Sequence, residues 1–173
     1  MAIIKTVRGF TPQFGNKCFL ADNAVVVGEV FMGDNCTVWF NAVVRGDVNT
    51  ITIGNNTNIQ DGAIIHCTYQ KSKTTIGNNV SIAHNAVVHG CTVEDNVLIG
   101  MGAIIMDDAI IGTGSVIAAG AIILPKTRVE PGSIYAGVPA RKVKEAGDDM
   151  REVIQRTARN YPMYAEWFTE NSK

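Results

Sequence analysis

All three histidines of the chain, His66, His84 and His89, fall in one stretch between Ile59 and Gly90. Neutral imidazole is the commonest metal-ligating side chain, and three imidazoles with a water make a catalytic zinc site. A divalent ion in such a site lowers the pKa of bound water towards neutrality and so supplies a nucleophile. The alternative is three surface histidines that lie near one another by chance. Proximity in the sequence does not decide between these readings. The pattern that positions the histidines does.

An aliphatic residue recurs at every sixth position: Leu20, Val26, Met32, Val38, Val44, then Ile53, Ile59, Ile65, then Ile76, Ile82, Val88. After one five-residue step the series continues as Val93, Ile99, Ile105, Ile111, Ile117, Ile123, Val129. Four residues after each comes a small or compact side chain, such as Ala24, Cys36, Ala63, Ala86, Ala103 and Ala121. A period of six fits neither a helix nor a two-faced strand; it is the hexapeptide repeat of a parallel β-helix, in which three hexads close one triangular coil. The chain is therefore expected to be an all-β solenoid over residues 1–140, followed by an α-helical cap over 141–173. The helical pattern runs from about Val143 to Asn160, and Pro162 is expected to kink or restart it. The cap is expected to lie along the prism and cover its open end.

Taking every third hexad sorts the chain into three faces. His66 and His89 then follow Ile65 and Val88 on one face, stacked about 4.8 Å apart at the backbone, with Arg45 one rung below. His84 belongs to the next face, with Asp61 one rung below it. Two breaks interrupt the period beside the stacked pair. Val44 and Ile53 are nine residues apart, so Gly46–Thr50 must bulge outwards, and Ile65 and Ile76 are eleven apart, so Cys67–Thr74 must form a loop. Loops placed by a rigid scaffold are where function usually sits. His84 and His89 straddle a corner, too far apart to share one metal in one chain at Zn–N distances of about 2.0–2.1 Å. The simplest completion is His84 from a neighbouring subunit, which a head-to-tail trimer supplies three times over.

The segments Arg45-Gly46-Asp47, Asn58-Ile59-Gln60-Asp61-Gly62, Ile65-His66, Ile82-Ala83-His84 and Val88-His89-Gly90-Cys91 resemble the signature of gamma-class carbonic anhydrases, which are left-handed β-helix proteins. The resemblance covers roughly residues 10 to 140. It implies that His66, His84 and His89 ligate Zn2+, with Fe2+ or Co2+ possible, at the interfaces of a homotrimer. It further implies that Gln60 orients the metal-bound hydroxide or bicarbonate, that Asp61 and Tyr135 belong to the catalytic site, and that Arg45 and Asp61 form an intersubunit ion pair with Asp47 in the same network. The implied reaction is hydration of carbon dioxide to bicarbonate. The sequence departs from the pattern in the Cys67–Thr74 loop, which carries Lys71 and Lys73 where the family's well-characterised members have proton-passing glutamates. Cys67, beside a ligand, is expected to be a plain packed cysteine.

Other features bound the reading. The net charge of -1 gives no reason to expect a nucleic-acid partner or an acidic membrane surface. No apolar run is long enough to span a bilayer, no secretory signal is evident, and four scattered cysteines without a CxxC pair suggest a reducing cytoplasm. Hexapeptide acyltransferases share the fold and an ending like Tyr135-Ala136-Gly137-Val138-Pro139-Ala140-Arg141, but they normally need one base histidine and no metal. A thioesterase using the same metal chemistry and a non-catalytic metal-binding scaffold are the remaining alternatives.

Overall fold

Most strands of this protein are two or three residues long, far too short to be stable alone. They persist because each stacks in parallel register on the strand one coil before and one coil after. The computed structural model, which describes residues 1–170, is a left-handed parallel β-helix of about seven turns with a single C-terminal helix. The three columns of the repeat are the three faces. Val26, Val44, Ile65, Val88, Ile105 and Ile123 pair in that order along one face. Val38, Ile59, Ile82, Ile99, Ile117 and Tyr135 pair along the second. Met32, Ile53, Ile76, Val93, Ile111 and Val129 pair along the third.

The columns are the core. Ile59, Ile65, Ile82, Ile99, Ile105, Ile111 and Ile117 are fully buried, each contributing about 1.5–3 kcal/mol of transfer free energy. The compact residues four positions later, from Ala24 to Ala121, are buried where the chain turns towards the next face. Corners need the left-handed backbone conformation, and asparagine is the non-glycine residue that reaches it most readily. Asn35, Asn56, Asn79 and Asn96 have φ of 52–57° and repeat at one corner. There the Asn56 amide donates to Asn79 Oδ1 and the Asn79 amide to Asn96 Oδ1, both at 3.2 Å.

The C-terminal segment differs from its expected form. Ala140–Glu145 is a strand, antiparallel to Ser133–Gly137, so Val143 is extended rather than helical. It pairs with and covers an edge that would otherwise be an open template. The helix, α1, runs from Asp148 to Glu170 without restarting at Pro162. Proline forfeits only its own bond to the Ala158 carbonyl, and tertiary contacts hold the second half. Trp39 packs on Tyr161 and Phe168 at centroid distances of 5.4 and 5.6 Å, with Phe19 and Phe40 beside Phe168. Ile154, Ala158 and Ala165 form the buried stripe. α1 thus lies along the prism flank, its last turns beside the first coil. A cleft of about 420 Å³, lined by the asparagine corner and by Gln155, Arg159 and Pro162, separates it from that flank.

Candidate metal centre

The ladder places the expected residues at the two ends of one face. At one end, His66 closes the strand Ile64–His66 and His89 closes Val87–His89, directly in register. His66 Nδ1 and His89 Nε2 face each other at 3.1 Å. Two nitrogens on one tetrahedral zinc lie about 3.3 Å apart, given Zn–N distances of about 2.0–2.1 Å. The pair therefore matches the bite of a single divalent ion. The remaining nitrogen of each ring goes to a carboxylate: His66 Nε2 to Asp47 Oδ1 at 3.0 Å, and His89 Nδ1 to Asp107 Oδ1 at 2.7 Å. Metal-ligating histidines nearly always have such a partner, which holds the ring and raises its basicity.

Both breaks in the period serve this corner. In the first, the ladder skips from Gly28–Gly46 to Val30–Ile51, leaving Asp47–Thr50 opposite Glu29 alone. That excess delivers Asp47, which also accepts from Arg45 NH1 at 2.5 Å. In the second, the 67–73 loop turns back so that Thr68 Oγ1 donates to Asp107 Oδ2 at 2.8 Å and Ser72 Oγ to Asp107 Oδ1 at 3.2 Å. The Asn49 amide donates to the Ser72 carbonyl at 2.9 Å and joins the two insertions. Arg8, from the N-terminal segment, donates to the Val48 carbonyl and lies over the Tyr69 ring.

The electrostatics follow from these contacts. Burial pushes the Asp47 carboxyl up, but hydrogen bonds from Arg45 and His66 outweigh it and hold the group below its ordinary range. Asp107 follows the same logic: burial raises it, and Thr68, His89 and Ser72 together bring it below that range. His66 is lowered, chiefly because burial disfavours the imidazolium, which keeps the ring in the neutral form a metal requires. Cys67 is fully buried, its thiol donates to the Asn49 carbonyl, and burial pushes its pKa up. It is packing, as expected.

The other end of the face holds His84, Asp61 and Gln60. His84 follows the strand Ser81–Ile82, and its Nδ1 meets Asp61 Oδ2 at 3.0 Å. The His84 side chain is 38 % exposed, against 17 % for His66. Gln60 is buried one position before Asp61, its amide donating to Asn58 Oδ1, and Asn58 in turn donating to Ser81 Oγ. Burial and the nearby Asp61 push Tyr161 of α1 up to about 12.

Among the described residues, no three His, Cys, Asp or Glu side chains of one chain are placed to hold a metal ion together. The residues expected to act together are thus split into a His66/His89 half and a His84 half. The Arg45–Asp61 pair is expected between subunits; within one chain Arg45 pairs with Asp47, and Asp61 with His84, because each carboxylate lies beside the partner at its own corner. Tyr135 is brought to neither half. It takes the inward slot in register with Ile117, is 8 % exposed and joins the core, three coils and about 14 Å along the axis from the Ile82 rung. Asp107, Thr68 and Ser72 were not among the expected residues. Asp107 had one visible sign: it stands one rung above Gly90, one residue past the histidine column.

Comparisons with known proteins place the chain among hexapeptide-repeat proteins. Residues 90–125 match the bacterial transferase hexapeptide family (six repeats). The chain is 45 % identical to a probable carbonic anhydrase of Methanocaldococcus jannaschii over 85 % of its own length and 92 % of that protein's. It is 38 % identical to a carbonic anhydrase of Geobacillus kaustophilus, covering 96 % and 91 % of the two chains. A crystal structure of a putative acetyltransferase from Bacillus cereus superposes with a TM-score of 0.93 at 30 % identity, covering 98 % of both chains.

Proposed function

The chain belongs to the gamma carbonic anhydrase-like family of hexapeptide-repeat proteins, and from that premise we propose that it hydrates carbon dioxide to bicarbonate at a metal site shared between subunits of a homotrimer. The observation that carries this reading is the facing pair, His66 Nδ1 and His89 Nε2 at 3.1 Å, each ring backed by its own carboxylate. The donor set of three imidazoles suits Zn2+, with Fe2+ or Co2+ as alternatives. His66 and His89 of one subunit and His84 of the next hold the ion. A divalent ion so held is a Lewis acid that makes a water-derived nucleophile available at neutral pH.

The chain's own residues do the rest. Asp47 and Asp107 fix the rings of His66 and His89, and Asp61 fixes His84 with its outer nitrogen directed away from its own subunit. Gln60, held by Asn58 beside Asp61, orients the substrate's oxygen once the two halves meet. Arg45 neutralises Asp47 and, near the subunit boundary, supports assembly. Tyr135 lies in the core of its own chain. A head-to-tail arrangement about a three-fold axis brings a His66/His89 half against a His84 half at each interface.

The test is complementation. His66→Ala and His84→Ala homotrimers each lack metal and activity. Chains of the two variants, unfolded together and refolded in equal amounts, restore about one quarter of the sites, since an intact site needs the right variant on each side of an interface. No recovery of metal or of carbon dioxide hydration in verified mixed trimers overturns the shared site. Full metal occupancy without hydration favours a thioesterase or a metal-binding scaffold.

A further inference from the structure

Resting on the reading that His66, His89 and a second copy's His84 hold a metal, we infer that Asp107, clamped by the Thr68 and Ser72 hydroxyls, is the positioning residue for His89 and makes the 67–73 loop part of the metal site.

His89 Nδ1 is engaged by Asp107 Oδ1 at 2.7 Å, so only Nε2 is left to face His66. The carboxylate cannot swing away. Thr68 Oγ1 holds Oδ2 at 2.8 Å, and Ser72 Oγ holds Oδ1 at 3.2 Å. Ser72 is itself oriented, because its oxygen accepts from the Thr68 amide at 3.0 Å, leaving its proton for Asp107. Space for the clamp is reserved at Gly90, where a Cβ would collide with both Asp107 Oδ1 and Ser72 Oγ. Thr74 fixes the far end of the loop by donating to the His66 carbonyl at 2.6 Å and accepting from the Gly90 amide at 3.0 Å.

The three carboxylates behind the three histidines are not equivalent. Asp47 shares its charge with Arg45, and Asp61 lies exposed at the other corner. Among the described residues, Asp107 receives only neutral hydroxyls besides the imidazole, so no cation shares its charge with His89. A charge partner of this kind raises ligand basicity, and losing it costs about 10–100-fold in metal affinity. A loop brace with no bearing on the metal would instead cost stability alone.

The test is zinc affinity, measured by chelator competition on intact protein, with the melting temperature of the metal-free form measured beside it. Asp107→Ala should bind zinc about 10–100-fold more weakly than the unsubstituted protein. Asp107→Asn, whose carbonyl still accepts from His89 but carries no charge, should recover part of that loss. The Thr68→Val/Ser72→Ala double variant, which leaves Asp107 in place but loose, should lose a few-fold. Should Asp107→Ala fail to fold, Asp107→Asn and the double variant carry the measurement. Zinc affinity equal to the unsubstituted protein in the variants, whether or not the metal-free form melts lower, overturns the inference and leaves a structural clamp. Failure of the unsubstituted protein itself to bind zinc or cobalt overturns the shared-metal reading first, and this inference with it.

Discussion

The coils between Val43 and Gly90 and those between Thr92 and Val129 are built from the same hexad, and they do different work. From Val93 onwards the step is six residues without exception, and the column residues pair rung on rung with nothing inserted. The earlier coils keep the same buried columns but break the step twice. The extra residues carry Asp47 in one insertion and Thr68 and Ser72 in the other. A strictly periodic ladder can set the backbone spacing of two histidines. The insertions bring Asp47 behind His66 and the Thr68 and Ser72 hydroxyls onto Asp107, and the regular coils contribute Asp107 itself, behind His89.

If that division is right, substitutions should sort cleanly into losses of metal and losses of stability. The largest separation is expected at His84→Ala. On the proposed reading it removes a ligand and so should cost metal affinity well beyond the 10–100-fold of an outer partner, while the metal-free protein keeps its stability to within about 0.5 kcal/mol, as partly exposed positions usually do. Zinc competition and thermal melting in chelator measure the two sides.

Ile111→Ala tests the opposite corner of the comparison. Truncating a fully buried column residue in the regular coils should destabilise the protein by about 2–5 kcal/mol, read by denaturant unfolding. Zinc affinity of the molecules still folded should not change. A loss of affinity would show that strain travels along the ladder.

A smaller effect is expected at Asn79→Ala. Alanine must adopt φ near 54° there, costing about 1–2 kcal/mol, and two ladder hydrogen bonds go with the amide. Asn79→Gly, free of the conformational penalty, should recover most of that loss. Equal destabilisation by both would show that the amide ladder outweighs the backbone.

The smallest change is expected for Arg45→Ala. The Arg45–Asp47 pair is partly exposed, and such pairs contribute about 0–1 kcal/mol to a single chain. Its larger consequence should appear in assembly, as a rise in the concentration at which the trimer dissociates, measured by sedimentation. A trimer of unchanged stability would make the pair incidental.

Periodicity made much of this protein legible in one dimension. Once Ile65 and Val88 occupy equivalent slots, His66 and His89 must stack, whatever the loop between them does, because the ladder allows only one register that keeps the columns buried. The same rule placed Tyr135 above Ile117, which is why it ends in the core of its own chain. The helix was legible in its apolar spacing, but its first residues were not, because strand Ala140–Glu145 is stabilised by an edge that exists only after the last coil has formed.

What the tertiary structure alone decided is which side chains meet at the corners. Arg45 turns to Asp47, Asp61 turns to His84, and Asp107 finds His89 through a loop that folds back over Gly90. Insertions have no period, so their path depends on hydrogen bonds made in three dimensions, such as Asn49 to Ser72 and Thr74 to His66. The sequence by itself determined the ladder and the stacking of two histidines, since both follow from burying one residue in six. The partners that hold those histidines depended on contacts between segments that no repeat relates.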